Sequence, residues 1–213
     1  MPELRFTVVG EGSSDAALVP VIQWLLDSLL PGVSIEGFSA NQEELPSARD
    51  LAGRIVTAVK LRPCEILFVH RDADTAGRDS RIREIERAVL AARSRQATLV
   101  PIVPVIPARM IETWLLTDGD AIRRTAGNPN GPMPTLPRLR DLERLANPKD
   151  RLNSLMLTAT GLRPQRQRRF DVNIVAVAEE TMSFAPLRQL PAFRAFEADV
   201  RQTIADRRWP ANL

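Results

Sequence analysis

The chain has 213 residues, of which 44% are hydrophobic and 26% are charged, a balance ordinary for a globular protein. No tyrosine is present, so a tyrosine nucleophile is excluded, and one histidine and one cysteine exclude both an internal disulfide and a Cys/His zinc site. The net charge is +3, and nearly all cations are arginines, which indicates either a GC-rich genome or contact with phosphate. No apolar run is long enough to span a membrane, and a single cysteine fits a reducing compartment, so we expect a cytoplasmic protein without a membrane partner.

Strands and helices alternate through the first half of the chain. Four short apolar runs predict strands at residues 4–9, 33–38, 65–70 and 98–106. Helical patterns lie between them, at about 14–30, 47–60 and 79–95, and a further helix opens near Ala108. Pro101 and Pro104 place the last strand at a sheet edge or on an irregular path. The alternation predicts an α/β fold, a Rossmann-like parallel four-stranded sheet with helices on both faces.

The pattern changes near residue 119. Glycine and proline are frequent in 119–137, which predicts an irregular linker. Short helices are predicted beyond it, at about 138–146, 148–157, 170–182 and 191–208. We therefore expect an α/β domain over residues 1–118 and a mainly helical C-terminal region over residues 119–213 that packs on it.

Acidic clusters follow the first and third predicted strands. Glu11 and Asp15 lie in VVGEGSSD, and Asp72 and Asp74 lie in HRDADTAGRD. In the simplest strand order, 2-1-3-4, these two strands are neighbours, so both acidic turns meet at the carboxyl edge of the sheet, where such sheets bind ligands. Four carboxylates so close repel one another unless a hard cation binds.

Each acidic turn has an ordinary explanation when taken alone, because acids after a strand are common helix caps. Their joint placement after neighbouring strands favours a metal site for Mg²⁺ or Mn²⁺, and phosphodiester chemistry is the natural reaction class for it. His70 precedes the second turn, and a lone histidine at a strand end is more often packed or hydrogen-bonded than catalytic.

Glu112 and Lys149 are further candidates. Glu112 follows the fourth strand and is either an additional metal ligand or a first-turn acid favoured by the helix dipole. Lys149 is one of only two lysines, and it either stabilises charge near a scissile phosphate or is a surface lysine.

Two groups of arginines are candidates for nucleic-acid contact. Arg71, Arg78 and Arg81 flank the second acidic turn, where pairing with the acids is the competing explanation. The densest basic run, LRPQRQRRF, can neutralise phosphates or be a solvated loop, and it contains Arg163, Arg166, Arg168 and Arg169.

These motifs resemble the Toprim domain, which occurs in primases, topoisomerases, OLD-type nucleases and small RNA-maturation nucleases. VVGEGSSD at 8–15 resembles its glutamate motif, and DADTAG at 72–77 resembles its Asp-x-Asp motif. IETWLLTD, NPKDRL and PAFRAFEADV, which begin at 111, 147 and 191, resemble a small bacterial Toprim-like family often encoded beside ABC- or AAA-type ATPases.

The resemblance implies roles for these residues. Glu11 would be a metal ligand or general acid–base group, Asp72 and Asp74 would bind Mg²⁺, and Asp15 matches a second acidic position of OLD-type members. The absence of tyrosine excludes topoisomerase strand passage, and the scarcity of cysteine excludes the zinc-bearing primase arrangement.

Two functions of different classes follow. The first is a Mg²⁺-dependent nuclease, in phage defence or DNA repair together with a separate ATPase; a nucleotidyl-transfer or RNA-processing enzyme is a weaker variant. The second is a partner module of an ATPase complex, non-catalytic or active only with its partner. The chain has no Walker loop, so any ATPase is a separate protein.

Overall fold

A parallel four-stranded sheet forms the centre of the chain in a computed structural model, which describes residues 2–40, 45, 50–96, 98–167 and 170–211. The strands are β1 (Glu3–Val9), β2 (Ser34–Ala40), β3 (Ile66–His70) and β4 (Ile102–Val105). Their order is β2-β1-β3-β4, and every neighbouring pair is parallel. The predicted order and the placement of β4 at an edge are therefore confirmed.

Pro104 of β4 fits an edge strand. Leu67 donates its amide to the Pro101 carbonyl and Arg71 donates to the Val105 carbonyl, so alternate residues of this strand face β3. Pro104 lies between them and faces outward, where a missing N–H costs no hydrogen bond of the sheet.

Helices cover both faces of the sheet, as predicted. They are α1 (Leu18–Leu29), α2 (Leu51–Leu61), α3 (Arg78–Arg95), α4 (Glu112–Leu115), α5 (Gly119–Thr125), α6 (Pro148–Ala159), α7 (Pro164–Gln167), α8 (Ile174–Glu180) and α9 (Pro191–Arg207). Short 3-10 turns occupy Ser13–Ala17, Leu139–Arg144 and Ala185–Gln189. Leu67 and Phe68 of β3 point to opposite faces of the sheet. Helices α2 and α3 pack on the face that Leu67 joins, and α1 packs on the face that Phe68 joins. Within the described residues, no helix is both long and apolar enough to cross a membrane.

One helix lies where the sequence predicts an irregular linker. The first part of 119–137 forms α5, because Asp118 caps it by accepting hydrogen bonds from the amides of Asp120 and Ala121. Ile122 is fully buried and anchors the helix to the core. The remainder of the segment has no helix or strand.

Aromatic side chains join the C-terminal region to the sheet. Phe196 of α9 packs against Phe68 of β3 with ring centroids 5.9 Å apart, and it stacks on Trp114 at the same distance. Phe193 contacts the edge of Trp114 at 5.2 Å. Buried side chains from both sides of residue 118 thus share one core, whereas the domain boundary at that residue stays a prediction.

Candidate functional site

The carboxyl ends of β1 and β3 lie side by side. Val9 pairs with Val69, so the two strands end beside each other. Glu11 lies shortly after the end of β1, and Asp72 lies equally soon after the end of β3. The two acidic turns meet at this edge, which we call the acidic rim and define by its four carboxylates, Glu11, Asp15, Asp72 and Asp74.

Asp15 is fixed by the backbone of the first turn. Its Oδ2 accepts hydrogen bonds from the amides of Glu11 at 2.5 Å and Gly12 at 3.2 Å. A Cβ on Gly10 would lie 2.4 Å from the same oxygen, so only glycine allows this close approach. The close packing of Asp15 against Gly10 thus explains why glycine occupies this position.

His70 connects the two acidic turns. Its Nδ1 lies 3.0 Å from the Val105 carbonyl, which only accepts, so this nitrogen carries a proton and donates. Its Nε2 lies 3.3 Å from Asp72 Oδ1 and 3.7 Å from Asp15 Oδ1. Burial by itself lowers the pKa of His70, but Asp72, Asp15 and the Val105 carbonyl outweigh it and raise the pKa. The histidine is hydrogen-bonded to Val105, as expected, and its Nε2 faces both acidic turns.

Asp72 carries a buried oxygen that lacks a hydrogen bond. Its Oδ1 contacts His70 without hydrogen-bond geometry and has no donor elsewhere in the part of the chain that the structure describes. Asp74 is exposed, adopts a left-handed conformation with φ of 43°, and donates its amide to the Arg109 carbonyl. The Asp-x-Asp motif therefore presents one partly buried and one exposed carboxylate.

Arginines pair with the acids of the rim and of α3. Arg71 Nη1 lies 3.0 Å from Glu11 Oε1, and its Nε donates to Glu84 at 2.8 Å. Arg81 donates to the other oxygen of Glu84 and to the Asp72 carbonyl, each at 2.8 Å. Burial alone raises the pKa of Glu84, but the hydrogen bonds from both arginines outweigh it and lower the pKa. For Arg71, pairing with the acids is what the structure contains, and contact with nucleic acid stays a prediction.

Arg54, on the first turn of α2, lies beside this network. It is 8% exposed, and among the described residues its Nε and Nη2 atoms have no hydrogen-bond partner. Burial lowers the pKa of Arg54 and nearby Arg71 lowers it further, whereas Glu11 and Asp15 raise it. A guanidinium stays protonated under such conditions, and leaving its donors unpaired costs about 1–3 kcal/mol of stability.

Glu112 and Lys149 lie within electrostatic reach of the rim. Glu112 begins α4 and is buried. Burial raises the pKa of Glu112, the charges of Asp72 and Asp15 raise it further, and Lys149 opposes them. Lys149 is exposed on the first turn of α6. The structure thus brings both residues towards the rim, and their roles as ligand and catalytic cation stay predictions.

The other predicted nucleic-acid contacts make no ion pair with the four rim carboxylates among the described residues, or lie outside those residues. Arg78 donates to Asp199 of α9 at 2.9 Å. Arg163 and Arg166 are exposed at the short helix α7, whereas Arg168 and Arg169 lie outside the described residues.

The side chains of the acidic rim are of the type that binds a hard cation, but their arrangement does not form a binding site for one. Carboxylate oxygens are the ligands that Mg²⁺ prefers, and Oδ1 of Asp72, which contacts His70 at 3.3 Å without hydrogen-bond geometry, is an atom that a cation can bind. Among the residues described, however, no group of three or more His, Cys, Asp or Glu side chains is arranged to hold a metal ion. Glu11 is paired with Arg71, so a metal must draw this half-exposed carboxylate towards Asp72.

Comparison with protein-family models, curated proteins and solved structures finds no match to this chain. The functional assignment therefore depends on the geometry of the acidic rim.

Sequence reasoning missed the positions that complete this network. Arg54 had a signal, because it lies three residues after Leu51 and one before Ile55, on the apolar face predicted for α2. A charged residue on such a face requires a partner. Glu84 had none beyond ordinary helix spacing, whereas Arg81 was expected to contact phosphate or pair with the acids, and it pairs with Glu84.

Proposed function

We propose that the chain is a Mg²⁺-dependent phosphodiesterase of the Toprim-like type that cleaves nucleic acid. The observation that supports this most is the meeting of the two acidic turns at adjacent strand ends, with His70 between Asp15 and Asp72. A sheet edge that concentrates carboxylates, with one buried oxygen that lacks a hydrogen bond, is suited to bind a cation. The bound cation would in turn bind phosphate.

The proposed metal ligands are Glu11, Asp72 and Asp74, with Asp15 and Glu112 in support. Bound Mg²⁺ would neutralise phosphate charge and lower the pKa of an attacking water. Glu11 is the best placed to accept a proton on its carboxylate, since its side chain is 51% exposed.

His70 and Lys149 would orient the carboxylates of the rim or neutralise charge on the phosphate. His70 would hold Asp72 and Asp15 in place through the contacts that its Nε2 makes with both carboxylates. Lys149 is exposed beside Glu112, and its ammonium would offset negative charge that develops on the phosphate.

The test is Mg²⁺-dependent cleavage of a mixed panel of DNA and RNA by the wild-type chain and by Glu11→Gln and Asp72→Asn. Both variants should lose at least about a hundredfold in rate while circular dichroism remains native. The exposed Glu179→Gln is the matched control and should cleave normally. Cleavage at the wild-type rate by both rim variants contradicts the proposal.

A second candidate is a partner module of a separate ATPase, and one observation favours it. Glu11 is engaged by Arg71, so the carboxylate proposed for catalysis is held until another group displaces the arginine. Co-purification with a separate ABC- or AAA-type ATPase, and cleavage only in that complex, would support the module. Full activity of the isolated chain excludes it.

A further inference from the structure

A buried guanidinium at the acidic rim has one edge free. Arg54 is on the first turn of α2, and this helix begins at the same side of the sheet as the rim because it follows parallel strand β2. Its Nε and Nη2 are buried and unpartnered among the described residues. These two nitrogens donate in parallel from one edge of the guanidinium, which is the arrangement that binds two oxygens of one anion.

The anions nearest to Arg54 are already engaged. Glu11 is paired with Arg71 at 3.0 Å, and Asp15 accepts from two backbone amides and faces His70. Both carboxylates act on Arg54 through their charge, but neither accepts a hydrogen bond from its free edge. The described part of the rim therefore contains a cation whose hydrogen-bonding partner must come from elsewhere.

We propose that Arg54 anchors a terminal phosphate of the nucleic-acid strand that the acidic rim acts on, an inference that rests on the proposed function. A phosphate offers two oxygens to the Nε–Nη2 edge. Arg54 is buried, so its ligand must enter a narrow opening, and a terminal phosphate, which has no strand on its far side, needs less room than an internal phosphate flanked by sugars on both sides.

This assignment gives two arginines of the rim different tasks. Arg71 is held on two sides by Glu11 and Glu84 and orients carboxylates. Arg54 has only charge–charge interactions with its described neighbours and is left to bind the substrate end. The acidic rim then lies next to the anchored end, which predicts that cleavage starts from strand ends that carry phosphate.

The test is binding of fluorescent oligonucleotides in EDTA, measured by anisotropy, with four ligands: strands ending in 5′-phosphate, 3′-phosphate or hydroxyl groups only, and inorganic phosphate as competitor. One of the phosphate-ended strands should bind about tenfold more tightly than the hydroxyl-ended strand. Arg54→Met should abolish that preference, and Arg54→Lys should lose most of it because an ammonium lacks the paired donors. Arg93→Met, in the last turn of α3 at the other end of the sheet, should keep it.

Folding is checked separately by thermal unfolding. Arg54→Met removes an unpaired buried charge, so its Tm without ligand should equal or exceed that of the wild type. A lower Tm in this variant, together with a retained preference in Arg54→Lys, assigns Arg54 a structural role and overturns the inference.

Two other outcomes also overturn it: equal binding of phosphate-ended and hydroxyl-ended strands, or inorganic phosphate that competes as strongly as a phosphate-ended strand. Because no divalent ion is present, absence of cleavage does not affect this measurement. A chain that prefers phosphate ends through Arg54 but never cleaves nucleic acid would contradict the proposed function alone.

Discussion

Glu11 and Arg71 form a 3.0 Å ion pair across the carboxyl ends of β1 and β3. The carboxylate side chain is half-exposed, whereas the arginine side chain is 8% exposed and also binds Glu84. A buried cation therefore holds the residue that the proposed chemistry requires to be mobile. The same pair neutralises part of the charge that the four carboxylates of the rim would otherwise accumulate.

Arg71→Met should tighten metal binding. The substitution frees Glu11 and removes a positive charge next to the acidic rim, whereas Glu84 keeps its hydrogen bond from Arg81. A charge removed at such a distance changes the free energy of cation binding by about 1.4 kcal/mol, so Mn²⁺ affinity should rise about tenfold. Calorimetric titration of both proteins with Mn²⁺ measures this change in affinity. The control is Arg93→Met, and equal or weaker Mn²⁺ binding by Arg71→Met would show that the pair does not restrain the rim.

The sheet and its acidic edge were predictable because both depend on local patterns. Apolar runs that alternate with helices imply parallel strands, and the carboxyl ends of neighbouring strands must meet. Glu11 and Asp72 follow directly from that rule, and the structure places them as expected.

The pairing inside the site was not predictable, since it depends on side chains brought together from distant segments. The sequence left Arg71 between phosphate contact and pairing with the acids, and it could not show that Arg71 binds two acids while Arg54 binds none among the described residues. The helix α5 was missed because its Asp118 cap lies at the start of a proline-rich stretch. These are tertiary and capping effects that override local composition.

Phe196→Leu should destabilise the sheet and the C-terminal region together. Phe196 contacts Phe68 of β3 and Trp114 of α4, so the shared core predicts one unfolding transition rather than two. The loss of ring contacts should cost about 2 kcal/mol. Urea unfolding followed by tryptophan fluorescence and by far-ultraviolet circular dichroism tests this. Separate midpoints for the two signals would indicate independent domains, and the exposed Met182→Leu should leave the midpoint unchanged.

Glu197→Gln should destabilise the chain in a pH-dependent way. Glu197 accepts from Arg188 at 3.1 Å and from Arg201 at 2.6 Å. Burial raises the pKa of Glu197, but both arginines outweigh it and lower the pKa below its usual value of 4.5. A lowered pKa stabilises the fold above the unfolded-state pKa, and this contribution disappears as pH falls through the folded-state pKa.

The difference in unfolding free energy between wild type and Glu197→Gln should be about 2 kcal/mol at pH 7. It should shrink as pH falls below 4.5, where the carboxyl becomes protonated in the unfolded chain, and disappear as pH falls through the lower folded-state pKa. Urea titrations at several pH values measure it, with the exposed Glu179→Gln as control. A difference that is constant with pH would mean that packing, rather than charge, explains the effect of the substitution.

Gly10→Ala should disturb the acidic rim, and Gly12→Ala should not. A Cβ on Gly10 would lie 2.4 Å from both Cβ and Oδ2 of Asp15, so the turn must move and Asp15 must release the amides that it accepts from. On Gly12, the nearest atom is Ser14 Oγ at 3.9 Å, and the backbone is extended, which any residue adopts. We expect Gly10→Ala to lose about 2 kcal/mol of stability and most Mn²⁺ binding. Calorimetry and urea unfolding compare the two variants, and equal behaviour would mean that the close approach of Asp15 to Gly10 does not hold the first turn in place.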